Sequence, residues 1–175
     1  MRAGSFNTSL LNVAVGMLAE LGAEVKVWDF QANPLPIYNN DLEKSDGLPD
    51  NARLLKEEIE KSDAVLLAGP EYNAGVTPLL KNAIDWSSRK TNEWENKVVA
   101  LISASTGQFG GARGQYAYRN SLAHLRAFVL PEMVVLPLAE SAFDEHGNLT
   151  NERTLKGLRD LTKKLIDVSG RLKGI

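Results

Sequence analysis

Ala64-Val65-Leu66-Leu67-Ala68-Gly69, then Pro70-Glu71-Tyr72-Asn73 and, a few residues on, Thr77-Pro78, is the stretch on which the architecture turns. A short unbroken apolar run ended by glycine and proline reads as a strand covered on both faces. Proline one turn later opens a helix, in which Leu79, Leu80, Ala83, Ile84 and Trp86 make the apolar side. The same alternation extends both ways. Upstream, Leu10, Leu11, Ala14, Met17, Leu18 and Leu21 share one face of a helix expected over Ser9 to Leu21, capped by Asn7 or Thr8. Glu24 to Phe30 alternates and is β-branched, which predicts a strand, and the Asn- and Pro-rich residues Asn33 to Asn40 make a loop. Leu54, Leu55 and Ile59 mark a helix after Pro49.

Downstream, Val98 to Ile102 is another buried strand, and a Gly-rich loop, Ser105 to Gly111, follows it. Tyr116, Leu122, Leu125 and Phe128 then suggest a helix, Met133 to Leu136 a strand, and Leu155 to Leu172 a long closing helix. Strands alternating with helices predict right-handed crossovers and a parallel sheet with helices on both faces, a three-layer α/β fold in one domain over residues 1–175. The alternation starts on a helix, so four strands are expected here and none ahead of the first helix.

The chain has 175 residues, 43% hydrophobic and 24% charged, an ordinary balance for a domain with a real core. Its net charge of -2 lacks the basic field that nucleic acid requires. Without cysteine there is no disulfide, thiolate nucleophile or Fe–S ligand, so redox chemistry has to come from a bound cofactor. No apolar run approaches the roughly 20 residues of a membrane span, and the start lacks a signal peptide's apolar core. The sequence reads as cytoplasmic. His124 and His146 are not at metal-ligand spacing and no metal site is expected; Asp41, Glu43, Asp46 and Asp50 read as a solvated acidic loop.

In open α/β sheets, ligands sit beyond the carboxyl ends of the strands. Three loops there are unusual. Arg2-Ala3-Gly4-Ser5-Phe6-Asn7-Thr8 runs into a helix start and offers a cation and neutral hydrogen-bonding groups to a phosphate, although the same residues also suit a simple helix cap. Pro70 to Pro78 has amides and an aromatic for a flat heterocycle, but is also a run of turn formers. Ser103 to Arg113 carries Gly107, Gly110 and Gly111, which permit close backbone approach, and the hydroxyls of Ser105 and Thr106. It is neither a P-loop nor a dinucleotide fingerprint.

Taken together, Arg2-Ala3-Gly4-Ser5-Phe6-Asn7, Pro70-Glu71-Tyr72-Asn73, Leu80-Lys81-Asn82-Ala83-Ile84-Asp85-Trp86 and Ser105-Thr106-Gly107-Gln108-Phe109-Gly110-Gly111-Ala112-Arg113 resemble the motifs of the NADPH-dependent FMN reductase family, a flavodoxin-like group that includes quinone, azo-dye and chromate reductases. The resemblance implies a flavodoxin-like doubly wound parallel sheet and an FMN enzyme reduced by NADPH or NADH. Electrons would pass by ping-pong hydride chemistry at flavin N5 to a quinone, free flavin, azo compound or similar acceptor, with no side chain as catalytic acid or base. Arg2, Ser5 and Asn7 would hold the FMN phosphate; Pro70, Glu71, Tyr72 and Asn73 would border the ring; and Ser105, Thr106 and Gly107 would complete the polar side, with Gly110 also at the cofactor. Arg113 is a candidate for the 2′-phosphate of NADPH, and Trp86 and Tyr116 are candidates for the interface of the homodimer or homotetramer common among relatives, though core packing also suits them. The alternatives are a flavin-binding electron carrier or redox sensor without NAD(P)H turnover, and a phospho-ligand binder without flavin. The family's first strand would precede Arg2, inside the order 2-1-3-4-5, so the natural protein is expected to start upstream of Met1. Val76-Thr77-Pro78 also departs from the family's Val-Pro-Gly at the helix start.

Overall fold

The computed structural model describes residues 4–173. The elements in chain order are α1 (Phe6–Glu20), α2 (Asn40–Asp46), α3 (Asp50–Lys61), β1 (Ala64–Ala68), α4 (Pro78–Ser87), β2 (Val98–Ala104), α5 (Ala112–His124), β3 (Phe128–Leu136), a 3-10 turn at Ala139–Ser141 and α6 (Glu152–Leu172). The strands form a parallel sheet in the order β1-β2-β3, with Ala64 opposite Val98 and Val98 opposite Phe128. All seven residues of β2 are buried, as a central strand with helices on both faces requires. Its side chains alternate. Val98, Ala100, Ile102 and Ala104 meet Leu10, Ala14 and Leu18 of α1 and Leu158, Leu161 and Leu165 of α6. Val99 and Leu101 meet Leu55 and Ile59 of α3, Leu80, Ala83 and Ile84 of α4, and Tyr118 and Leu122 of α5. These are the three layers expected.

The expected strand Glu24 to Phe30 is not one. Those residues join no ladder, because among the described residues no strand lies beside them to accept their hydrogen bonds. Their side chains still divide between the layers: Val25 packs with α1 and α6, whereas Trp28 and Phe30 join the opposite cluster. Among the described residues the sheet therefore has three strands instead of four. β1 differs for the same reason. Expected to be covered, it is only half-buried except at Leu67, since its outer edge has no neighbour among the described residues.

Helix α1 starts at Phe6 rather than Ser9, because Ser5 is the N-cap and its hydroxyl accepts from the Thr8 amide at 3.4 Å. Phe128 belongs to β3, not to the preceding helix, which ends at His124. β3 begins well before Met133 because it is an edge strand, where Pro131 interrupts no second ladder. The acidic residues 40–46 are a short helix capped by Asn39 and not a loop. Glu43 is not solvated: Tyr38 donates to its carboxylate at 3.0 Å and Arg89 at 2.8 Å. Desolvation pushes the Glu43 carboxyl up, but the Tyr38 and Arg89 hydrogen bonds and the Arg89 charge outweigh it and hold it below the usual range.

The Pro-rich segment before α2 lies across α4 as a strap. The Pro36 carbonyl accepts from Asn82 Nδ2 at 2.9 Å and from Trp86 Nε1 at 2.7 Å, and the Tyr38 amide donates to Asn82 Oδ1 at 2.8 Å. Two side chains of the Leu80 to Trp86 motif thus hold the strap, and Trp86 is fully buried.

Candidate active site

The carboxyl ends of β1 and β2 open onto the three loops singled out above, and four sets of polar contacts fix them to one another. The first loop is clipped to the sheet by Asn7: its Nδ2 donates to the Ala104 carbonyl at 2.8 Å and its Oδ1 accepts from the Ala104 amide at 2.9 Å. An amide side chain is the group whose donor and acceptor match a strand's own peptide edge.

The second loop is held by Tyr118. Its hydroxyl donates to the Pro70 carbonyl at 3.1 Å, accepts from the Thr77 amide at 2.8 Å and lies 3.1 Å from Thr77 Oγ1. A Cβ at Gly69 would stand 2.5 Å from the ring of Tyr118, so glycine is what admits the ring. Burial pushes the Tyr118 phenol up, only partly offset by its bonds to Thr77, and it stays a donor across the neutral range. Beyond Pro70 the chain makes a two-residue hairpin, in which Tyr72 and Gly75 exchange both backbone bonds at 3.2 and 2.9 Å around Asn73 and Ala74.

The third loop is anchored from below by Ser103, whose hydroxyl donates to the Gly110 carbonyl at 2.7 Å, and by Gln115, which donates to Ser103 Oγ at 2.9 Å and to the Val134 carbonyl at 2.7 Å. Gly110 and Gly111 have φ of +59° and +88°, and a Cβ on either would come within 2.8 Å of a neighbour. Gly111 is the N-cap of α5 and has no side chain to cap it. Glu71 supplies the cap from the second loop: it accepts from the Arg113 and Gly114 amides at 3.0 and 3.2 Å and from the Arg113 side chain at 2.9 and 2.7 Å.

The expected site residues therefore come together at one edge, in different roles. Arg2 lies outside the described residues. Ser5 caps α1, and Asn7 faces the sheet. Pro70 and Glu71 have partners within the scaffold, while Tyr72, 60% exposed, and Asn73 face outward. Ser105 Oγ accepts from the Gly107 amide at 3.1 Å; Thr106 and Gly107 are exposed; Gly110 is buried. Arg113 is paired to Glu71, Trp86 is core, and Tyr116 is exposed. Tyr118, Gln115, Ser103 and Thr77 are missing from the sequence-based set. For Gln115 and Tyr118 the signal is a polar group on the apolar face of α5, three residues apart, whereas the sequence reading puts Tyr116 on that face; Ser103 lies inside β2 and Thr77 at the start of α4, where a hydroxyl is unremarkable in sequence.

What remains open at this edge fits FMN. Among the described residues, the Asn73 and Thr106 side chains and backbone amides have no protein partner, which leaves donors and acceptors from both ring-side loops. Tyr72 adds exposed aromatic surface, and Asn7 holds the start of α1 beside the end of β2.

Fold and site together define an α/β protein of the flavodoxin-like class, in which loops at one edge of a parallel sheet gather exposed polar and aromatic groups. The chain belongs to the NADPH-dependent FMN reductase family, whose profile matches residues 1–141. It is 38% identical to an NAD(P)H:quinone oxidoreductase of Solanum tuberosum over 99% of this chain and 91% of that protein. It is 35% identical to an NAD(P)H-dependent FMN reductase of Pseudomonas aeruginosa, over 99% of this chain and 93% of that one. The solved structure of FerB, a flavoenzyme NAD(P)H:acceptor oxidoreductase of Paracoccus denitrificans, superposes with a TM-score of 0.84 at 35% identity, covering 98% of this chain and 93% of FerB.

Proposed function

We propose that this chain is an NAD(P)H-dependent, FMN-carrying oxidoreductase that delivers electrons to a quinone, a free flavin or a similar flat acceptor. The observation that carries the reading is the gathering of the Ser5, Pro70 and Ser105 loops at one sheet edge, with the outward Asn73 and Thr106 groups of the two ring-side loops unspent among the described residues. Bound FMN would supply the redox chemistry, accepting electrons from the nicotinamide and passing them on. The protein's own residues bind and orient. Ser5 and the first amides of α1 would meet the phosphate, together with Arg2, and Asn7 would keep that loop against β2. Tyr72, Asn73, Ser105, Thr106 and Gly107 would border the ring, with Pro70, Glu71 and Gly110 shaping the backbone beneath it.

No side chain in the site needs to be an acid or base, so donor and acceptor are expected to alternate at one place. A carrier without NAD(P)H turnover would dock through a strong charge, and the net charge is only -2. We further propose a cytoplasmic homodimer or homotetramer; among the described residues no helix is long and apolar enough to cross a membrane. The test is to load the purified protein with FMN and mix it anaerobically with NADPH. Bleaching of the flavin, followed by steady-state quinone reduction with parallel double-reciprocal lines, is the expected result. A protein that neither binds FMN nor bleaches it overturns the reading.

A further inference from the structure

We propose that Phe109 is the residue that selects flat acceptors, its ring held ready by the Glu71–Arg113 ion pair. This rests on the function proposed above. Phe109 is 64% exposed in a chain that buries Trp86 and Tyr118 completely, so core packing does not explain it. The ring nevertheless has a defined neighbour. The Arg113 guanidinium lies over it at 5.3 Å from the centroid, and that guanidinium is itself gripped by Glu71 through Nε at 2.9 Å and Nη2 at 2.7 Å. Glu71 in turn is fastened to the Arg113 and Gly114 amides at the start of α5. All of its bonds point to one helix end, so the relay from carboxylate to guanidinium to ring has a fixed root.

The backbone beneath Phe109 is equally constrained. Its carbonyl accepts from the Ala112 amide at 3.0 Å, and the next two residues are the glycines that no Cβ could replace. An exposed aromatic held on both counts loses little freedom when a second ring stacks on it. Phe109 stands in the loop that borders the proposed flavin ring, where an acceptor has to come to receive electrons. A quinone would gain from that stacking, whereas an acceptor without a conjugated ring, such as ferricyanide, would not.

The test compares wild type, Phe109→Ala, Phe109→Trp and Arg113→Ala as FMN-loaded proteins. For Phe109→Ala, the KM for a naphthoquinone is expected to rise about 2–10-fold with kcat little changed, a size set by one aromatic pair. The ratio of kcat/KM for quinone to that for ferricyanide falls by the same factor. Calorimetric binding of the quinone to the oxidised protein weakens in parallel, Phe109→Trp restores it, and Arg113→Ala weakens it by a smaller factor. Equal losses with both acceptors, or quinone binding that does not respond, overturn the assignment. So does a changed oligomeric state in Phe109→Ala without a changed KM. Failure of this proposal is distinct from failure of the function itself, because in the latter the wild type neither holds FMN nor oxidises NADPH, and both fall together.

Discussion

Tyr118 ties three parts of the chain through one oxygen. It bonds the Pro70 carbonyl and both polar groups of Thr77, and its ring fills the space that Gly69 leaves. Tyr118→Phe keeps the ring and removes the oxygen, leaving the buried Thr77 amide unpaired, at a cost of about 1–3 kcal/mol. Urea unfolding should register that loss, and an unchanged midpoint would show that the Thr77 amide has found another partner. Ala74 makes the opposite case. With φ of 49° at Asn73 and 61° at Ala74, the hairpin is a type I′ turn, whose second central position favours glycine. Ala74→Gly is expected to raise stability by about 1 kcal/mol, roughly 2–4 °C in Tm, read by calorimetry; a fall in Tm would place the strain elsewhere. Neither effect was legible beforehand. Asn73 and Gly75 announced a turn, but not which residues would take positive φ, and Tyr118 could not be told from Tyr116 without the helix's rotation about its axis.

Strands and helices were more legible than side chains, because their signals are long. The strand runs at Ala64 and Val98, the helix that Pro78 opens and the apolar stripe of α6 all stand where the sequence pattern put them. Periodicity describes one segment, however, and a strand is a property of two. Glu24 to Phe30 has the alternation of a strand and no ladder. The strap had no periodic signal at all, since it is made by two side chains of α4 reaching Pro36. Several packed pairs of elements hang on carboxylates. Glu93 meets Lys56 of α3 at 3.0 Å, Glu132 of β3 pairs with Lys164 of α6, and Glu43 of α2 pairs with Arg89. Desolvation pushes Glu93 and Glu132 up, but hydrogen bonds from Thr91 and Lys56 in one case, and chiefly from Lys164 in the other, leave both below the ordinary glutamate value, as at Glu43. Carboxyls lowered by folding contribute stability above the ordinary value of 4.5 and lose it as pH falls through their folded values. Tm should therefore decline on acidification below about pH 4.5, and Glu132→Gln should flatten that decline; a Tm independent of pH down to 3 would contradict it.

The sheet as a whole explains why the site was readable while its support was not. The Pro70 and Ser105 loops leave one edge because parallel strands all end on the same side, a rule that needs only the order of elements, and Asn7 brings the Ser5 loop to that edge. Which side chains then face inward depends on packing across the layers: Asn7 reaches Ala104, and Glu71 reaches α5. The open side of β1 belongs to the same level of organisation. The Gly69 amide bonds the Ile102 carbonyl in β2, and alternate residues of a parallel strand turn to opposite neighbours. The amides of Leu66 and Ala68 then point away from β2, and hydrogen exchange by NMR should find them exchanging much faster than those of Val65 and Leu67. Equal protection would mean that another strand covers them.

That uncovered edge also governs how the protein behaves in company. Among the described residues the outer side of β1 has no ladder partner, and such an edge is a template on which a foreign strand can be added. For the residues described, crowding favours sheet extension from molecule to molecule, and the colloidal stability of the preparation depends on what occupies β1.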